Sequence, residues 1–247
     1  MSAVLKEVVA SSTVSASPVS PRAASDDAAS RYNIYTIIHK ALRAFMADTL
    51  LKVGRMDVAD DAEGGEAIAQ VRALLVMCTG HLHHENNFVH PAIEKAFPRA
   101  TARTVDDHKH HEISIAELEQ QVARFEAAPA EKRPQGAWAL YLVLSGFLAE
   151  NFTHMIVEET ANHAALIAAY TDAEILGIEQ ALVASLSPEQ KFASMQWMIP
   201  YINASERAFL LGGMKRHAPP PVFEGVLGLA RDRLSQRDFY KLERALG

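Results

Sequence analysis

His81 and Glu85 are four residues apart, and His154 and Glu158 repeat that spacing further along the chain. On an α-helix four residues make slightly more than one turn, so each pair projects from one face, one side chain above the other. A neutral imidazole and a carboxylate placed this way can share a metal ion, and a carboxylate can also bridge two ions. One such pair is commonly an ordinary surface interaction. A lone histidine on an apolar helical face is more often a hydrogen-bonded core residue. The duplication, joined by His39 and His108 on the apolar lines of two other segments, points to a metal site built by six side chains: His39, His81, Glu85, His108, His154 and Glu158.

Four long helical patterns can bring these residues together: 32–53, 66–97, 104–126 and 137–169. Apolar residues recur every three or four positions in each, as at Ile115, Leu118, Val122 and Phe125. The breaks are VGRMDVADDAEGG, Pro98 and APAEKRPQG. Short connections between long helices imply antiparallel neighbours, so the expected fold is all-α, an antiparallel up-down four-helix bundle over 31–170. Thr104 and Asp107 have the spacing of a capping box at the start of the third helix. His39 and His81 lie about 20 residues either side of the first loop, and His108 and His154 about 23 either side of the third. Across the second loop the depths of Glu85 and His108 differ by about two turns. Six ionisable groups in one core layer would be costly without a compensating cation.

Other histidines are expected elsewhere: His83 and His84 solvated or behind the ligands, His90 structural, and His110, His163 and His217 at the surface. Cys78, the single cysteine, reads as an inert core thiol and excludes disulfides within the chain. Residues 171–247 read as a small C-terminal helical appendage. Thr171/Glu174 and Ser187/Gln190 form capping boxes there. The second opens a helix carrying Phe192, Met195, Met198, Ile202 and Phe209, kinked at Pro200 and frayed at Gly212–Gly213. Two short helices follow, around 223–233 and 236–246. Residues 1–30, rich in Ala, Ser, Pro and Val, read as a disordered N-terminal arm without the pattern of a secretion signal.

Composition narrows the function. The net charge of −6, with His neutral, gives no electrostatic case for nucleic acid. No apolar run approaches the ~18 residues of a membrane span, so no membrane partner is expected and the location read from the sequence is cytoplasmic.

The motifs His81-Leu-His-His-Glu85 and Thr153-His-Met-Ile-Val-Glu-Glu159, with His39 and His108, resemble the hemerythrin-like family, which includes the HHE cation-binding proteins. The resemblance covers about residues 31–170. It implies a non-haem di-iron centre: two iron ions under an oxo or hydroxo bridge, Glu85 and Glu158 spanning both, and four histidines as terminal ligands. Manganese or zinc would also suit the donors. Oxygen-carrying members have a second histidine on helix three, four residues after the first; here that position is Glu112, with His111 beside it. Either is a candidate to complete the site. The family's acidic residue after the first H-x-x-x-E is Asn86 here, while Glu159 keeps it on helix four.

The resemblance implies a protein that binds dioxygen, nitric oxide or peroxide for sensing, storage or detoxification, more a small-ligand-binding protein than a conventional enzyme. Two alternatives remain: a di-iron redox or iron–sulfur repair enzyme, and a metal-stabilised regulatory protein that forms a homo-oligomer through the C-terminal appendage.

Overall fold

Long helices and tight turns account for nearly all of the computed structural model, which describes residues 31–247. The expected arm at 1–30 lies outside the described residues. In chain order the helices are α1 (Thr36–Arg55), α2 (Asp61–His84), a π-helical turn (Glu85–Val89), α3 (His90–Ala96), α4 (Ala102–Glu126), α5 (Arg133–Val157), a second π-helical turn (Glu158–Asn162) and α6 (His163–Ala169). Then come α7 (Asp172–Ser185), α8 (Pro188–Tyr201), α9 (Ala204–His217), α10 (Pro220–Arg233) and α11 (Gln236–Leu246). The described residues contain no strand.

Local chemistry sets the ends. Asp60 caps α2 by accepting from the amides of Ala62 and Glu63. Lys52 and Arg55 in the last turn of α1 oppose its carbonyl dipole. Pro134 occupies the first turn of α5, where its missing N–H leaves no bond unmade. The expected capping box at Thr104 and Asp107 is absent, because α4 already begins at Ala102 and Thr101 makes no side-chain cap. Glu94 organises this turn instead. Its carboxylate accepts from the amides of Arg99 and Thr101 and from the Thr101 hydroxyl, at 2.6, 2.8 and 2.6 Å. These bonds hold Arg99 at φ 72°, a left-handed conformation uncommon outside glycine.

Helix α1 packs against α2 and α5, and α4 packs against α2 and α5, so the four long helices enclose a common interior. That interior holds two apolar clusters. Phe45, Leu74, Cys78, Leu82, Leu118, Leu144, Leu148 and Met155 belong to one; Tyr35, Val89, Ile93 and Leu166 belong to the other. On α1 the changeover falls between Tyr35 and Leu42, on the second helical run between Leu82 and Val89, and on the fourth between Met155 and Leu166. His39, Glu85 and Glu158 sit at those changeovers. The polar side chains therefore form a layer between two apolar ones.

The helical run Ala130–Ala169, 40 residues containing an 18-residue stretch of mean hydropathy 1.3, is long and apolar enough to cross a membrane by length and composition, a stretch the sequence reading passed over. One stripe of it, Leu140, Leu144, Phe147, Leu148, Asn151, His154 and Met155, is packed into the interior.

Residues 32–247 form one compact unit. Helix α8 lies on α1, with the Trp197 ring stacked on Phe45 at 4.1 Å and 13°. Lys40 on α1 pairs with Glu206 on α9 at 2.5 Å. Helices α8 to α11 share a third cluster around Ile199, Leu211, Val226, Ala230 and Leu242. The capping boxes at Thr171 and Ser187 are both present. The expected long helix kinked at Pro200 is instead two helices. Pro200 sits in the last turn of α8, and Asn203 opens α9 with a capping box to Glu206. Nor does the chain fray at Gly212–Gly213, since α9 continues to His217.

Candidate metal centre

The structure brings His39, His81, Glu85, His108, His154 and Glu158 into one cluster. His39 Nε2 lies 3.6 Å from Glu85 Oε1 and 3.5 Å from Glu158 Oε2. His81 Nε2 lies 3.2 Å from Glu85 Oε1. On the other side, His108 Nε2 lies 3.5 Å from Glu85 Oε2 and 3.6 Å from Glu158 Oε1. His154 Nε2 lies 3.2 Å from Glu158 Oε2. Two groups of four donors result: His39, His81, Glu85 and Glu158, and Glu85, His108, His154 and Glu158, with the donor atoms of each within 4.8 Å of one another. Both carboxylates belong to both groups. Each group could hold a metal ion.

The outer faces of the imidazoles decide how these nitrogens are protonated. His39 Nδ1 faces Glu159 Oε1 at 3.1 Å, His108 Nδ1 faces Asn86 Oδ1 at 2.8 Å, and His154 Nδ1 faces Asp107 Oδ2 at 3.3 Å. Carboxylate and amide oxygens accept, so in the neutral ring each Nδ1 carries the proton and each Nε2 turns a lone pair inward. Yet His108 Nε2 stands 3.0 Å from His154 Nε2, and His39 Nε2 stands 3.2 Å from His81 Nε2. All four oxygens of Glu85 and Glu158 are buried without a hydrogen-bond partner, a deficit of about 1–3 kcal/mol for each unmade bond. Facing lone pairs and bare carboxylate oxygens are what a cation would satisfy. The donor set therefore fits a metal of the imidazole–carboxylate class.

With no cation, protons take over that duty. Burial opposes charge on His39, but the Glu159, Glu85 and Glu158 carboxylates outweigh it and carry its pKa up to about 9. Burial likewise opposes charge on His108, and Glu158 and Glu85 carry it up to about 9. Burial pushes His81 down to about 4. Burial pushes Glu85 and Glu158 up, and the Glu158 charge adds to this at Glu85, but the surrounding imidazoles win and hold both below the usual carboxylate range. Arg43 grips Glu159 through both nitrogens, at 2.5 and 2.9 Å, which fixes the carboxylate behind His39.

The candidates to complete the site part company. His111 is buried with its ring edge-on to His154 at 4.7 Å, Nδ1 is without a partner, and burial pushes its pKa down to about 4. Glu112 stays on the surface. The structure also corrects other readings. His163 is buried rather than at the surface. Asp107, assigned to a helix cap, stands behind His154. His90, expected to be structural, is buried in keeping with that; its ring stacks on His108 at 4.9 Å, and its Nε2 lies 3.8 Å from Glu158 Oε1. The sequence did carry a signal for His90 and His163: each follows the Glu of its motif by five residues, in both copies. Cys78 is buried as expected, and burial pushes its thiol up to about 12. Compared with protein-family models, curated proteins and solved structures, the chain shows no match.

Proposed function

We propose that this chain is a hemerythrin-like di-iron protein, an antiparallel up-down four-helix bundle whose centre binds dioxygen or a related small ligand such as nitric oxide or peroxide. Its work is sensing, storage or detoxification in the cytoplasm. The observation that supports this reading best is the convergence of imidazole lone pairs on two shared, unpartnered carboxylates. His39 and His81 would hold one ion, His108 and His154 the other, and Glu85 and Glu158 would contact both. A ferrous pair held there would supply two electrons and coordination positions for a diatomic ligand.

The chain's own residues do the rest. Glu159, Asn86 and Asp107 keep the Nδ1 protons in place, so that Nε2 stays a donor. The two apolar clusters on either side of the layer keep bulk water away from a reduced centre, with Leu82 and Met155 on one side and Val89 and Leu166 on the other. Four imidazoles to two carboxylates make a softer set than the glutamate-rich sites of ferritin-like proteins, which argues against iron storage.

The test is metal analysis of anaerobically purified protein, followed by addition of dioxygen or nitric oxide. About two irons per chain and a new visible absorption are expected. Protein that binds no iron, or iron that ignores both gases, overturns the proposal. Consumption of a reductant over many turnovers would move the assignment to a redox enzyme.

A further inference from the structure

We infer that His90 is a further metal donor, a fifth imidazole on the His108 side of the centre, standing between the ion and a pocket open to the surface. This rests on the di-metal reading above and adds to its ligand set. His90 is 97 % buried, being 3 % exposed, and neither of its ring nitrogens has a hydrogen-bond partner. A buried imidazole kept only for packing would leave two polar atoms unsatisfied, where a phenylalanine would leave none. Its Nε2 points at a site oxygen. Glu158 Oε1 lies between His90 Nε2 at 3.8 Å and His108 Nε2 at 3.6 Å. Glu158 Oε2 is flanked in the same way, by His39 at 3.5 Å and His154 at 3.2 Å. Each oxygen of this carboxylate thus has two imidazole neighbours, and His90 supplies one of the four.

The backbone explains how a residue five beyond Glu85 reaches the site. In a continuous α-helix it would be rotated about 140° away from the Glu. The π-helical turn Glu85–Val89 carries the longer bond, from the His90 amide to the Glu85 carbonyl, and brings position 90 back toward the interior. Behind His90 is a pocket of about 400 Å³ whose walls include Asn86, Glu94, His108, Lys109 and Glu112. A small ligand arriving through it meets His90 before it meets Glu158. His90 accordingly competes with such a ligand for one coordination position.

The experiment uses the full chain, stripped of metal and titrated with Co(II) under argon, with d–d absorption and a competing chelator as readouts. Compared with wild type, His90→Ala and His90→Phe are expected to weaken one of the two bound ions by about tenfold. Both should also alter the absorption of that ion. Free imidazole should restore the wild-type spectrum in His90→Ala but not in His90→Phe, where the space is filled. Azide should bind His90→Ala more tightly than wild type. The metal-free His90→Phe protein should melt no lower than wild type, because it loses two unsatisfied nitrogens; a clearly lower melting point would mean that the imidazole has partners in the metal-free fold and would overturn its role as a donor held for metal. Titrations of both variants that superimpose on wild type overturn the role of His90 and leave the di-metal reading standing. Wild-type protein that takes up no Co(II) overturns both.

Discussion

At the scale of single residues, metal binding at the proposed centre would be a contest between protons and the ion for the same lone pairs. His39 and His108, both carried up to about 9, are protonated at neutral pH in the metal-free protein. Metal must displace those protons, so loading at pH 7.5 should release about two per chain, and affinity should climb as pH rises toward 9. Titration of metal into weakly buffered protein, followed by a pH indicator, reads this directly. The sign for folding is the opposite. Because both folded-state values lie above the ordinary histidine value, their contribution to metal-free stability is complete below about pH 6.5 and is lost as pH rises through 9. The melting temperature of the apo protein should fall across that window, and the loaded protein should not follow it. Glu159→Gln should lower metal affinity about 10–100-fold, since it removes the charge behind His39 and leaves Arg43 unpaired; chelator competition measures it. The six clustered side chains were legible in the sequence because helical spacing and duplication agreed and depth matched across the first and third loops, although across the second it missed by about two turns. Asn86 and Asp107 were not, since nothing in one sequence tells a polar residue behind a ligand from one facing solvent.

At the scale of elements, the four long helices were legible from apolar periodicity, with ends displaced by a few residues where capping chemistry lay outside the pattern. The second helix was expected from 66 and begins at Asp61, because Asp60 captures two amides in a segment with too few apolar residues to show a period. The π-helical turns were illegible for a different reason. A π turn is one residue added to an α-helix, and it shifts the apolar phase instead of erasing it. Both turns begin at the glutamate of an H-x-x-x-E pair. Deleting the exposed Asn87 removes the added residue, so it should restore an unbroken α-helix with Val89, His90 and Ile93 still on their faces and change stability by less than about 1 kcal/mol. Inserting an alanine after Asn87 should instead rotate them by about 100°, and the loss of two buried aliphatic side chains from the core predicts a destabilisation of about 2 kcal/mol or more. Chemical denaturation would show both, and an unaltered midpoint in the insertion would mean that the phase set by the turn carries no packing role.

At the scale of the whole molecule, the tail is bound to the bundle at the helix that carries His39. Its individual helices were legible from capping boxes, but their docking on α1 was not, since no local pattern names the surface an apolar helix will meet. Trp197→Ala should cost about 2 kcal/mol, below the range for a fully buried aromatic because the indole is only half-buried, while leaving metal content as it was. Truncation before residue 172 should uncover Phe45 and promote association between copies, visible by light scattering. The Phe45–Trp197 stack has one further consequence. Phe45 lies six residues from His39, roughly 9 Å along the helix axis, so the Trp197 indole is well within energy-transfer distance of any absorbing species at the centre. The tail thus furnishes an internal optical gauge: metal taken up at the proposed centre, and any change in its oxidation state, should register as quenching of native emission, with no label attached.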